Sequence, residues 1–233
     1  EDYSLGFTTS VASSGIALYG GIGELTGDLS LDLGGLHGPG RVTYLTSTMD
    51  SDDHVILPDS TFGETARYDN TSRVGLTPKV SAVVAAYGLH PFDQRLDVRS
   101  TASDSLRFFG EPVDLTGELS LKGDRMTARG SFHFERATLS SLHFELEQRG
   151  MRAAESAFQL HGKDQNELAF ETGRVSSVMD FDARMGDFTS LDGSTLIELP
   201  AIRYTCLMDA FTWFMDEARL ELRNTQADPA LSL

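Results

Sequence analysis

Leu25-Thr26-Gly27-Asp28-Leu29-Ser30-Leu31 and Leu115-Thr116-Gly117-Glu118-Leu119-Ser120-Leu121 are two versions of one segment, set 90 residues apart. In both, leucine or glycine alternates with Thr, Asp or Glu, and Ser. A helix, turning about 100° per residue, would scatter these leucines around its circumference. A period of two keeps them together. Each segment therefore reads as a strand with one buried face.

The match extends outward. Between 10–40 and 100–130 there are 11 identities in 31 positions, where average composition gives about two. Beyond Gly40 the offset drifts: His54-Val55-Ile56-Leu57 resembles His143-Phe144-Glu145-Leu146 at 89, and Val80–Val84 resembles Val175–Met179 at 95. Such drift predicts insertions in turns between matched strands. Other runs alternate in the same way, among them Val42 and Tyr44, Phe132 and Phe134, Phe144 and Leu146, and Met179 and Phe181. Turn chemistry is read at Leu33-Gly34-Gly35, Gly38-Pro39-Gly40, Asp69-Asn70, Lys122-Gly123-Asp124 and Asp192-Gly193. Residues 61–69 and 152–160 read as strand. The spacing of Leu207, Phe211, Phe214, Met215, Ala218 and Leu222 suits either an amphipathic helix or a strand pair around Asp216-Glu217.

These patterns predict an all-β fold, an elongated sheet built by repetition in the manner of a β-groove or β-solenoid, with a short helix allowed near 207–218. The repeats divide as 1–95, 96–190 and a partial third over 191–233. Solenoids close with atypical capping repeats, and neither end reads as one, so an excised piece of a longer array is expected. Further copies in the same polypeptide are then the first partners.

The 233 residues are 40% hydrophobic and carry 19 Lys+Arg against 35 Asp+Glu, a formal charge of −16. That composition is globular rather than disordered. The acidic balance excludes non-specific nucleic-acid binding, which depends on cations at phosphates. No apolar run approaches the ~18 residues of a membrane-spanning helix. A single cysteine, Cys206, leaves no disulfide framework or multi-cysteine metal site.

The alternation around glycine in Leu115–Leu121, followed by Met126-Thr127-Ala128-Arg129-Gly130-Ser131-Phe132, resembles the β-repeat domains of AsmA/TamB-type envelope proteins. Val178-Met179-Asp180-Phe181-Asp182, with Asp209–Met215 and Leu220-Glu221-Leu222, is also similar to large repetitive β-rich envelope proteins of Bacteroidetes. The resemblance implies an open or rolled sheet in the periplasm, outer membrane or cell surface of a Gram-negative bacterium. It implies lipid movement between membranes or assembly of outer-membrane proteins, with phospholipid or an outer-membrane protein as partner. No catalytic residue comes with it.

Leu25, Leu29, Leu31, Leu115, Leu119 and Leu121 are the candidates for an apolar face, either packed shut or opened for acyl chains. An adhesin-like array binding protein or glycan is the rival reading, and a carbohydrate-active enzyme using Asp/Glu pairs a third. No cofactor and no metal are expected. Asp50-Ser51-Asp52-Asp53-His54 is the densest set of cation ligands, but it reads first as a solvated turn. The six histidines read as solvent-side strand residues, although His54, His133 and His143 together could suggest a metal. Cys206 reads as a buried thiol, and Gly20-Gly21-Ile22-Gly23 as a turn rather than a phosphate loop. Phe211, Trp213 and Phe214 read as core packing. Asn70-Thr71-Ser72 matches a glycosylation sequon.

Overall fold

The computed structural model describes residues 7–10, 15–71, 76–162, 167–193, 195–200, 203–217 and 219–224. Among them the protein is all-β, every pairing below is antiparallel, and no α-helix occurs. The chain divides into two compact units, Glu1–Thr127 and Ala128–Leu233.

The first unit is an up-and-down meander. β1 (Phe7–Ser10) and β2 (Ile16–Leu18) share one neighbour, β3 (Gly23–Asp32). β3 pairs with β4 (Gly35–Tyr44), which pairs with β5 (Ser47–Ile56). Next come β6 (Thr61–Thr65) and β7 (Arg67–Asn70), both on β5. β8 (Val80–Ala82) lies on β7 and β9 (Ala85–His90) on β6. β10 (Arg95–Ser100) and β11 (Leu106–Phe108) cover β9 and β8, and both pair onward with β12 (Asp114–Lys122). β13 (Arg125–His133) spans the division between the units.

The second unit continues the same order. β14 (Ala137–Glu147) pairs with β15 (Gly150–His161), and β15 with β16 (Leu168–Asp180). β16 carries β17 (Met185–Ser190) and β18 (Thr195–Leu199). β19 (Tyr204–Met208) lies on β18, β20 (Ala210–Phe214) on β17, and β21 (Arg219–Arg223) on β20.

Register exposes the repeat more sharply than residue identity. Ile16 opposite Leu25 recurs as Leu106 opposite Leu115. Ser47 opposite Asn70 recurs as Ala137 opposite Leu160, and Tyr68 opposite Ala82 as Phe158 opposite Thr172. The hairpin pair His90 and Arg95 recurs as Asp180 and Met185. Each of these steps is 90 residues. The 89- and 95-residue offsets are thereby corrected: His54 corresponds to Phe144, and Ala85–His90 to Val175–Asp180. At β18 the step is 91, with Ser81 opposite Arg107 answered by Glu171 opposite Glu198, and at β20 it is 92, with Leu96 opposite Leu121 answered by Gly186 opposite Trp213.

Two sequence expectations fall on strand interiors and a third on a strand end. Gly38-Pro39-Gly40 is not a turn but a kink within β4, and Asp69-Asn70 ends β7. Asp50–His54 lies within β5, where Asp52 and Asp53 together oppose Pro39 as a bulge. Proline offers no N–H, so it sits naturally where the ladder is interrupted. Residues 204–208 and 210–214 are strands, so the helix allowed near 207–218 does not form among the described residues. Phe211 and Trp213 are both buried with period two. Their apparent helical spacing with Leu207 arises because Asp209 separates β19 from β20.

The kinks have a glycine basis. Gly27 and Gly40 sit opposite one another with φ of 150° and 151°, and Gly117 and Gly130 have φ of 155° and 129°. This backbone region is closed to side chains with a Cβ.

Inward rows are apolar and filled. In the first unit, Leu25, Val42, Met49, Tyr68, Leu89, Leu96, Val98 and Leu119 are all buried. At roughly 1.5–3 kcal/mol per side chain, such burial is the main term stabilising the meander. The sheet curls so that its inward face meets itself: Leu89 on β9 reaches Gly23 on β3, and the Tyr44 hydroxyl donates to the carbonyl of Gln94 in the β9–β10 turn. In the second unit Phe158, Phe170, Phe188, Phe211 and Trp213 form one ring cluster, with Phe188 stacked on Phe211 at 4.4 Å.

Candidate functional site

Of the six apolar-face candidates, Leu25, Leu29, Leu115, Leu119 and Leu121 are 0–8% exposed, whereas Leu31 is 50% exposed. Leu31 lies next to the β3–β4 turn, paired with exposed Phe7. The five buried leucines present no surface to an acyl chain in this conformation.

The inward face of the first unit also carries a polar inlay that composition does not reveal. Ser47, Ser51, His54, Thr61, Thr65 and Asn70 are all buried. His54 stands at its centre, directed inward because the Asp52–Asp53 bulge shifts the alternation by one residue. Its Nε2 donates to the Gly40 carbonyl at 2.9 Å, and its Nδ1 then accepts from the Tyr87 hydroxyl. Burial pushes the imidazole pKa down, against the Gly40 hydrogen bond and the fields of Asp53 and Asp50. Burial likewise drives the Tyr87 hydroxyl upward, so it stays a neutral donor. Nearby, the Tyr19 hydroxyl donates to the Leu57 carbonyl at 2.9 Å and lies 2.6 Å from the Thr61 hydroxyl.

The structurally equivalent slots in the second copy are mostly apolar. Phe144 replaces His54, Met151 replaces Thr61, and Phe109 replaces Tyr19. Ser177, in the slot of Tyr87, is 3.0 Å from the Ser156 hydroxyl. One polar device is common to both copies. Ser51 donates to the Glu64 carbonyl at 2.7 Å and accepts from the Asp53 N–H at 3.1 Å. Ser141 does the same with the Glu155 carbonyl at 2.6 Å and the His143 N–H at 3.1 Å. In the first copy the serine fastens the bulge, and the equivalence of Ser51 with Ser141 is legible in sequence only once the offset is fixed at 90.

On the outer face, carboxylates are held by arginines on neighbouring strands. Arg41 grips Asp50 through two hydrogen bonds of 2.6 and 2.8 Å, which hold that carboxyl below its usual range. Arg184 does the same for Asp216. Exposed pairs of this kind contribute little to stability. His37 is clasped between Asp32 at 3.1 Å and Asp53 at 3.0 Å, which raises its pKa, Asp32 contributing most. With Leu33, Gly34 and Val55 these residues line an open depression of about 390 Å³.

No family model, curated protein or solved structure matches this chain.

The remaining sequence candidates resolve individually. No group of three or more His, Cys, Asp or Glu able to hold a metal occurs among the described residues. His54, expected on the solvent side, is buried and hydrogen-bonded to Tyr87 and Gly40, whereas His133 and His143 are exposed. Cys206, expected to be buried, is partly exposed opposite Ile197. Residues 19–22 form the expected turn. Asn70 is buried, with its amide donating to the Pro78 carbonyl and its oxygen accepting from Thr46 and Ser47, so the folded chain offers no acceptor nitrogen there. Ser72 of that sequon lies outside the described residues. Phe211 and Trp213 join the core as expected, whereas Phe214 lies beneath the Arg219 guanidinium at 4.0 Å. No helix among the described residues is long and apolar enough to cross a membrane.

Proposed function

We propose that this chain is a non-catalytic β-repeat segment of a larger cell-envelope protein, serving as a structural scaffold. The observation that carries the reading is the recurrence of strand register at 90 residues. A meander whose hairpins recur in identical register extends by adding periods, each giving the next a hydrogen-bonded neighbour and an apolar face to cover. The filled inward rows favour the scaffold over an open lipid groove. The envelope location rests on the resemblance in strand pattern, and the −16 charge suits a surface that resists association with its own kind.

Deleting one period tests it. Removing Arg95–Arg184 joins Gln94 to Met185, two ends already related by the hairpin register, and Gln94 and Arg184 share a left-handed φ of 48° and 56°. The shortened protein is expected to keep a β-type circular dichroism spectrum and a cooperative urea transition. An unfolded product would show that the copies are not interchangeable units.

Native mass spectrometry supplies a second arm, on protein purified without detergent from a Gram-negative host. The scaffold reading predicts the bare polypeptide mass. A stoichiometric phospholipid adduct would replace it with the groove.

A further inference from the structure

We propose that the first repeat is acid-labile and the second is not, because His54 occupies the interior slot that Phe144 fills ninety residues later. This goes beyond the scaffold reading and does not depend on it.

The surroundings of His54 favour its neutral form. Its side chain is buried between strands, with one nitrogen facing the Gly40 carbonyl and the other the Tyr87 hydroxyl. The carbonyl can only accept, so in the neutral ring Nε2 carries the proton and Nδ1 accepts a hydrogen bond from the Tyr87 hydroxyl. Protonation makes both nitrogens donors. Tyr87 would then have to turn its own proton away and accept from Nδ1 instead.

The groups that face His54 do not rescue the cation. From β9 there is Tyr87, whose phenol burial keeps neutral. From β4 there is only the Gly40 carbonyl, a dipole rather than a charge. On β5 itself Asp50 and Asp53 lie on the outer face, already committed to Arg41 and His37. Their fields favour the cation, but burial outweighs them.

The folded protein binds the His54 proton less tightly than the unfolded chain, whose value is near 6.5. The stabilisation is therefore complete above 6.5 and is lost as the pH falls from there toward the lowered folded value. His37 runs the other way: its clasp strengthens on protonation, so it contributes below 6.5 and is lost as pH rises through its raised value. Acid thus tightens the outer side of the Gly38–Gly40 kink while loosening the inner side.

Hydrogen–deuterium exchange on the intact chain, corrected for intrinsic rates, tests this within one molecule. Between pH 7 and pH 5.5, protection at 51–56 and 85–89 is expected to fall, by no more than about tenfold. Protection at the equivalent 141–146 and 175–179 should stay within about twofold, since no histidine is buried there. His54→Gln, which keeps hydrogen-bonding capacity without titrating, and His54→Phe, which copies the second repeat, should each abolish the difference. Equal responses in both repeats, or a response that survives in His54→Gln, would overturn the proposal.

Discussion

Gly27→Ala is expected to cost about 3–5 kcal/mol, enough to remove a large part of a typical domain's stability. A Cβ built on Gly27 would lie 2.2 Å from the Pro39 carbonyl oxygen and 2.7 Å from the Gly40 Cα. Both obstacles are backbone of the adjacent strand, so no side chain can move aside. The φ of 150° adds strain for any residue other than glycine, of order 1–3 kcal/mol. Relief requires β3 and β4 to separate where they are most closely apposed, breaking ladder bonds worth about 0.5–1.5 kcal/mol each. Gly40→Ala meets the Thr26 carbonyl oxygen at 2.3 Å and should cost a similar amount. Because both substitutions force open one kink, the double variant should lose less than the sum of the two. Gly173→Ala is the control, since nothing lies within 4 Å of its Cβ position. Its urea midpoint should barely move. A Gly27→Ala midpoint equal to wild type would refute the closed kink.

The glycine result marks where sequence reading succeeds and where it stops. Alternation of leucine with polar residues identifies β3 and β12 directly, because a strand's two faces differ every residue. The repetition of Gly27 as Gly117 and Gly40 as Gly130 is equally visible in the residues. What those glycines do is not, because the cross-strand pairing of Gly27 with Gly40 is a fact of register. Gly38-Pro39-Gly40 therefore reads as a turn, the commoner use of such residues.

Bulges mislead in a related way. One extra residue exchanges inside for outside, so His54 is buried although its neighbours Asp52 and Asp53 face solvent. The histidine of the second copy, His143, invites alignment with it, yet its slot is that of Asp53. The polar inlay escapes notice for a compositional reason. Ser, Thr, His and Tyr are common on surfaces, and nothing in their spacing announces that they point inward together. The helix-like spacing near 207–218 shows the converse hazard, in which a chain break between two strands imitates a helical period.

Phe158→Ala should be the most damaging single truncation in the second unit, with an expected loss of about 3–5 kcal/mol. Its ring lies 4.7 Å from Phe188, 5.2 Å from Trp213, 5.8 Å from Phe211 and 6.0 Å from Phe170, and it is fully buried. Truncation leaves a void bounded by four rigid rings on β16, β17 and β20, and rigid rings collapse poorly. Trp213 is the only tryptophan, so its emission and near-ultraviolet circular dichroism report the loss without a label. Phe158→Leu should recover more than half of it.

Phe158→Tyr separates cavity from chemistry, because tyrosine is what the first repeat uses in the same slot. There Tyr68 places its hydroxyl 3.3 Å from the Ser47 Oγ. The residue equivalent to Ser47 is Ala137, which offers neither donor nor acceptor on its side chain. The added hydroxyl would be buried without that partner, at a cost of about 1–3 kcal/mol. Introducing Ala137→Ser alongside it should return part of that cost. If Phe158→Tyr were neutral on its own, the polar residues of the first repeat would not be a matched set, and each could be exchanged between copies independently.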